Sequence, residues 1–377
     1  MDATSSPAPE PIPMLDLRAQ FAPIADEICA ALDDVLGSQQ FILGPQLAAL
    51  EQEVAGACGR RFGVGVASGT DALLLGLHAC DIGPGDDVIV PAFTFIATAG
   101  AVSALGARPV FADIEPRTFN LDPAEIERRM TPKTRAVIVV HLYGLPAEMD
   151  TILAVAARRG LRVIEDNAQA IAASYKGRKT GSFGELGCLS FYPSKNLGAY
   201  GDAGMILTDS EEVAARLRRL RNHGQAGKYL SEEQGWNSRL DEIQAAVLRV
   251  KLRHLEGWKL ARQARAAQYT ALLGALPGVV TPAVPEGCEH VFYQYTIRVP
   301  GRDRVQKFLA ERSIASTVYY PVPLHLQPLY SALGYKRGDL PAAERAAEEV
   351  LSLPIYPELT PEQVQRVSDA VAAALQP

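Results

Sequence analysis

Residues 135–166 read RAVIVVHLYGLPAEMDTILAVAARRGLRVIED, an apolar run, a helix-compatible stretch and a second apolar run. Neither run alternates with polar residues, which is the pattern of strands covered on both faces. The alternation continues through FGVGVAS (62–68), DDVIVP (86–91) and RPVFA (108–112) on one side, and GCLSFYP (187–193) and AGMILTD (203–209) on the other. Repeated strand–helix units of this kind predict an α/β fold around a mostly parallel sheet of seven strands.

Beyond the sheet, RLDEIQAAVLRVKLRHLEGWKLARQARAAQYTALL (239–273) has no proline and apolar positions three and four apart, so it predicts one long helix carrying the domain boundary. HVFYQYTIRVP (290–300) reads as a strand, and RVQKFLAERSI (304–314), AAERAAEEVLSL (342–353) and TPEQVQRVSDAVAAAL (360–375) as helices. These make a smaller C-terminal α+β domain. The expected division is a disordered tail at 1–13, a large domain at 14–255 and the small domain at 256–377, although 377 residues also suit one large unit with an appendage.

Composition excludes several function classes. The start MDATSSPAPEPIP has no basic segment followed by an apolar run, so no signal peptide is expected, and no stretch reaches the roughly 20 apolar residues of a bilayer span. Five scattered cysteines without a CxxC or clustered histidines argue against a disulfide scaffold and a metal site, and fit a reducing cytoplasm. A formal charge of −6, with basic residues interleaved among acidic ones, gives no attraction to nucleic acid.

Three features carry chemistry. Ser68-Gly69-Thr70 ends a strand and opens a helix, where glycine, hydroxyls and free N–H groups suit a phosphate, or where Thr70 or Asp71 simply caps the helix. Glu165-Asp166 followed by Gln169 lies at the carboxyl end of another strand, where parallel sheets bind ligands; a carboxylate there either meets a pyridine nitrogen or caps a helix. Lys195 sits in the glycine-rich loop of SFYPSKNLGAYGDAGMILTD (190–209), with Ser190 five residues earlier as a phosphate donor. A phosphate cradle, a pyridinium partner and an imine-forming amine together describe a pyridoxal phosphate site.

The chain resembles the DegT/DnrJ/EryC1/StrS sugar aminotransferases, which have the fold-type-I pyridoxal phosphate architecture. The likeness runs through FILGP (41–45), PAFTFIAT (91–98), VVHLYG (139–144), IEDNAQA (164–170), SFYPSKNLG (190–198), RNHGQ (221–225), GWNSRLDEIQAAVL (235–248), YYPVPLH (319–325) and LSLPIYP (351–357). It implies that Lys195 forms the imine, that Asp166 meets the ring nitrogen and Gln169 the ring hydroxyl, and that Phe95 stacks on the ring. Gly69, Thr70 and Ser190 would hold the phosphate, and Asn237 would reach the cofactor of a neighbouring subunit, making the active unit a homodimer. Arg239, Tyr320 and His325 are candidates for substrate binding, and His141 is either a pocket residue or a structural one. Asn167 and Tyr319 depart from common forms, whereas Lys195 argues against a dehydratase branch that has histidine there.

The activity implied is transamination through a pyridoxamine phosphate stage. Glutamate is the expected donor and C3 of a dTDP- or UDP-linked 3-keto hexose the expected acceptor, with C4 of a 4-keto sugar as the alternative. A regulatory protein and a catalytically dead subunit are the rivals from other classes. The intact Lys195, the acidic pI near 5.6 and the lack of a helix-turn-helix count against the first, and the complete Lys195/Asp166/Gln169 set against the second.

Overall fold

The computed structural model describes residues 10–376. Seven strands form one sheet: β1 (Phe62–Val66), β2 (Asp87–Pro91), β3 (Arg108–Ala112), β4 (Thr134–Val140), β5 (Arg162–Asp166), β6 (Leu186–Ser190) and β7 (Gly204–Thr208). They lie in the order β1-β7-β6-β5-β4-β2-β3. All pairings from β6 through to β3 are parallel, and β7 runs antiparallel to both β1 and β6. The expected mostly parallel α/β sheet is therefore present.

Successive strand residues point to opposite faces, and both faces are covered. Val88, Val90, Ile138 and Ile164 enter one hydrophobic core, while Ile89, Val137, Val139 and Val163 enter another. Each such side chain contributes about 1.5–3 kcal/mol by leaving water, which favours the uninterrupted apolar runs of the sequence.

Four helices position the site: α1 (Pro45–Ala57), α2 (Gly69–Ala79), α3 (Ile96–Ala104) and α4 (Glu242–Leu273). Helix α4 has 32 residues and starts at Glu242 rather than at 239, because Asp241 before it is extended. The side chain of that first residue is buried and accepts from the N–H groups of Gly44 (3.0 Å), Gln46 (2.8 Å) and Leu47 (2.9 Å). Those donors open α1, where Gly44 has no side chain to satisfy them, so Glu242 locks the two helices together.

The far half of α4 belongs to a second core. Ala266, Tyr269 and Leu273 pack with β8 (Tyr295–Arg298), β9 (Val350–Leu353) and two helices, Arg302–Ala310 and Pro361–Ala374. Here the sequence reading needs correction. AAERAAEEVLSL is not one helix: the helix is Pro341–Glu349, and Val350–Leu353 is a fully buried strand antiparallel to Tyr295–Arg298. Ser352 bonds Thr296 across the pair at 2.8 Å, and every side chain of VLSL finds cover that a helical face would have given only some of them. The strand expected over 290–300 is likewise shorter, because residues before Tyr295 turn toward the site.

The expected tail at 1–13 is also revised. Residues 1–9 lie outside the described residues, but Ile12 is 1% exposed and its backbone bridges Ser313 (2.8 Å) and Ala315 (2.9 Å). Its side chain joins the second core. Ile12→Ala should lower stability by about 2–5 kcal/mol in denaturant unfolding, the range for emptying a buried aliphatic site. Among the described residues no helix is long and apolar enough to cross a membrane.

Candidate active site

Carboxyl ends of the parallel strands converge on one cavity of about 480 Å³. At the end of β1, Ser68 rather than Thr70 or Asp71 caps α2, its hydroxyl accepting from the Asp71 N–H at 3.1 Å. Gly69 and Thr70 are thereby left in the first turn, where N–H groups have no intrahelical partner, and both residues line the cavity. A Cβ at Gly69 would sit 2.5 Å from the Ser190 Cβ, and one at Gly204 would sit 2.3 Å from the Ser68 carbonyl. Two strand ends are thus held in contact that only glycine permits, and Ser68, Thr70 and Ser190 face one space. Gly69→Ala should push Ser190 and the α2 start apart and weaken pyridoxal phosphate binding roughly 5- to 150-fold, as overpacking of about 1–3 kcal/mol would do; equilibrium dialysis measures it.

The neighbours Glu165 and Asp166 have separate tasks because β5 sends them to opposite faces. Glu165 is fully buried and accepts from Gly181, Phe183 and Gly184 N–H groups at 2.6–2.8 Å and pairs with His141 Nε2 at 2.9 Å. Burial raises its carboxyl, but these bonds outweigh it and hold the group below the usual range. His141 also accepts from the Ala147 N–H at 3.0 Å and has no exposed surface, which makes it a structural residue.

Asp166 faces the cavity. Its Oδ2 accepts from Thr98 Oγ1 at 2.9 Å and its Oδ1 from the Ala168 N–H at 3.2 Å. Burial dominates over these two bonds and pushes its carboxyl above the usual range. A carboxylate in that position gains from a cationic partner, and a protonated ring nitrogen is one. Gln169 Oε1 accepts from the Tyr143 N–H at 2.7 Å and its Nε2 donates to the Tyr320 hydroxyl at 3.1 Å, which fixes the amide and leaves its second N–H.

Lys195 lies on the loop after β6. The loop is tightly folded: a Cβ at Gly198 would sit 2.3 Å from the Pro193 carbonyl. Helix α4 anchors it twice, through Lys251 Nζ donating to the Gly198 carbonyl at 2.6 Å and Gln244 Oε1 accepting from the Tyr200 N–H at 2.8 Å. Burial lowers Lys251 to about 8. The amine of Lys195 stands 4.4 Å from the centre of the Tyr293 ring.

Of the residues expected from sequence, Gly69, Thr70, Phe95, Asp166, Gln169, Ser190, Lys195 and Tyr320 all line this cavity. Phe95 is 53% exposed at its mouth and tilts against Tyr320. His325 is not there: it is 1% exposed, 3.1 Å from Glu344, and burial lowers its pKa despite that carboxylate. Its expected substrate contact is therefore not supported by its position. Asn237 pairs its backbone with Asn222, and Arg239 donates to Asn222 Oδ1 at 3.2 Å, so neither lines this chain's own cavity. Asn167 is buried, donating to the Thr180 carbonyl at 3.2 Å, whereas Tyr319 does face the cavity.

Sequence reasoning missed Thr98, Tyr143, Tyr293 and Gln294. Thr98 had a signal, since it lies one helical turn after PAFTF, and Tyr143 lay within VVHLYG. The other two were hidden inside a segment that reads as strand.

A hydroxyl-lined helix start, a buried carboxylate and a lysine amine on one cavity, at the carboxyl edge of a seven-stranded sheet, define a pyridoxal-phosphate-dependent enzyme of fold type I. The family model for the DegT/DnrJ/EryC1/StrS aminotransferase family matches residues 23–372, and the chain belongs to that family. It is 52% identical to a "Pleiotropic regulatory protein" of Geobacillus stearothermophilus, over 96% of this chain and 98% of that one. It is 50% identical to a UDP-N-acetyl-3-dehydro-alpha-D-glucosamine 3-aminotransferase of Acidithiobacillus ferrooxidans, over 97% and 98%. Among solved structures, DesV of S. venezuelae, in complex with a ketimine intermediate, superposes with a TM-score of 0.96 at 46% identity, covering 98% of this chain and all of that one. NtdA from Bacillus subtilis, solved with bound cofactor PMP, superposes at 0.90 with 34% identity, covering 97% and 85%. Pyridoxal phosphate is accordingly the cofactor, and the residues present fit it.

Proposed function

We propose that this aminotransferase transfers an amino group from L-glutamate to C3 of a dTDP- or UDP-linked 3-keto hexose, in the biosynthesis of an amino sugar. The observation that carries the reading is the complete constellation of Lys195, Asp166 and Gln169 on one cavity, in a chain half-identical to a 3-aminotransferase of a UDP-linked sugar. When bound, pyridoxal phosphate supplies an electron-accepting ring that takes up the electron pair left at a substrate carbon. Asp166 would hold the proton at the ring nitrogen, Gln169 the ring hydroxyl, and Gly69, Thr70 and Ser190 the phosphate, with Phe95 over the ring face. Lys195 Nζ, the one amine lining the cavity among the described residues, would hold the cofactor and then move a proton at the substrate carbon in each direction.

A cavity of about 480 Å³ takes the cofactor and the reacting sugar ring, so the nucleotide would lie across the mouth, where Phe95 and Tyr192 are exposed and Tyr319 and Tyr320 stand nearby. Asn237 and Arg239, which are not among the residues lining this cavity, suit a role in a partner's site, which supports a homodimer as the active unit. We place the boundary between a large cofactor domain and a small domain within α4, after residue 255, and the protein in the reducing cytoplasm, which its five free cysteines favour.

One relative's name favours a second reading, a regulator without catalysis. The test separates both. The protein, loaded with pyridoxamine phosphate, is mixed with 3-keto and 4-keto forms of dTDP- and UDP-hexoses, and the return of visible absorbance is followed. Fast return with a 3-keto sugar is expected. Return with only a 4-keto sugar moves the reaction to C4, and no return with any of them, nor any reaction with glutamate, leaves the regulator.

A further inference from the structure

Lys195 has an aromatic neighbour that the cofactor contacts proposed above do not employ. Its Nζ lies over the face of Tyr293 at 4.4 Å from the ring centre, within the range of a cation–π contact. The ring is held in place at its far end, where its hydroxyl meets Ser194 Oγ at 3.3 Å, and by its chain neighbours: Val291 is fully buried and Gln294 is nearly so. The backbone of this segment is tied to the sheet side of the site, through Val291 N–H to the Gly144 carbonyl (3.1 Å) and Gln294 N–H to the Tyr143 carbonyl (3.3 Å).

We propose that the face of Tyr293 is a catalytic surface that stabilises the cationic form of the Lys195 nitrogen. The proposal rests on the aminotransferase reading above. In that reaction the substrate C–H bond would break, its proton would bond to the lone pair of Lys195 Nζ, and its electron pair would be taken up by the electron-accepting ring that bound pyridoxal phosphate supplies. The amine therefore becomes an ammonium as the proton arrives, and a ring face beneath it lowers the barrier as charge develops.

A ring face suits this task better than a carboxylate. An acid paired directly with Lys195 would keep it protonated and useless as a base, whereas the quadrupole of a phenol favours the cation by a factor of roughly three to thirty. The titratable groups lining the cavity around the amine are Asp166, Asp202 and the phenols of Tyr143, Tyr192, Tyr319 and Tyr320. Asp166 accepts from Thr98 and Ala168 and feels the Lys195 charge only as a lesser influence, and Tyr320 is bonded to Gln169. The Tyr293 phenol meets the same amine: burial would raise it, yet the Lys195 charge and hydrogen bonds with the Ser194, Lys195 and Gln294 side chains bring it below the ordinary value, so hydroxyl and ring face must be told apart by substitution.

Two variants separate the ring from its hydroxyl. Tyr293→Phe keeps the face and the fold, and Tyr293→Leu removes the face. Each is loaded with pyridoxal phosphate and titrated with pH, without substrate, through the visible band that reports protonation at the Lys195 nitrogen. Each then reacts in a single turnover with glutamate carrying hydrogen or deuterium at Cα. Tyr293→Leu should lower the spectral midpoint by roughly 0.5–1.5 pH units and slow the deuterium-sensitive step roughly three- to thirtyfold, while Tyr293→Phe stays within about threefold and near the parent midpoint. A leucine variant that matches the parent in both measurements overturns the proposal. So does a phenylalanine variant as impaired as leucine, since the hydroxyl would then be the active part. A parent protein inert toward glutamate would defeat the donor reading, and the substrate-free midpoint would still decide this one.

Discussion

A Lys195→Ala protein should fold, bind pyridoxal phosphate and transaminate at least about 10⁴ times more slowly than the parent. The size follows from two losses at one atom. Lys195 is the only amine on the cavity among the described residues, so the variant has no nitrogen to hold the cofactor covalently and none to move the proton at the substrate carbon. Positioned acid–base catalysis alone accounts for about 10²–10⁴. The fold should be spared, because the loop is fixed through backbone groups, the Gly198 carbonyl to Lys251 and the Tyr200 N–H to Gln244, and not through the lysine side chain. Visible absorbance should be missing from the loaded variant, and a small exogenous amine should restore part of the single-turnover rate. A variant within about a hundredfold of the parent would mean that another group moves the proton.

What could be read in the sequence was whatever depends on near neighbours along the chain. Continuous apolar runs such as VIVV and LRVI mark strands buried on both faces, and the residue that follows such a run lies where ligands bind, which made Asp166 and Ser190 visible. Lys195 was visible because its loop is full of glycine and small residues. The unread parts depend on distant partners. Ile12 is ordered by the backbone of residues 313–315, some 300 positions away, and nothing in a proline-rich opening signals that. Val350–Leu353 follows a helix without a break, and only pairing with Tyr295–Arg298 makes it a strand. His325 sits among prolines that suggest an exposed loop, yet Glu344 on the next helix draws it inside. The division of labour between Glu165 and Asp166 was equally hidden, since it depends on three N–H groups of the 181–184 turn that claim only one of them.

Asp166→Asn is the second large expected effect, and it should move activity and stability in opposite directions. The carboxyl of Asp166 is raised because burial outweighs the hydrogen bonds from Thr98 and Ala168. In the cofactor-free protein the folded state therefore binds this proton more tightly than the unfolded chain does. Stability from this group is complete below the unfolded value of about 4 and is lost as pH rises through the higher folded value. Asparagine has no such proton and still offers Thr98 an acceptor, so the cofactor-free variant should melt above the parent at about pH 8 and match or trail it at about pH 4. Loading with pyridoxal phosphate should reverse the order at the higher pH. The parent then gains the pair between its carboxylate and a protonated ring nitrogen, and the variant does not. Without that pair the ring is a poorer electron acceptor, and single-turnover rates with glutamate should fall by about 10²–10⁴. Melting curves of free and loaded protein at the two pH values test the argument without reference to activity. If the free variant is less stable than the parent at about pH 8, the buried carboxylate is not a cost to the empty fold and this account of the site is wrong.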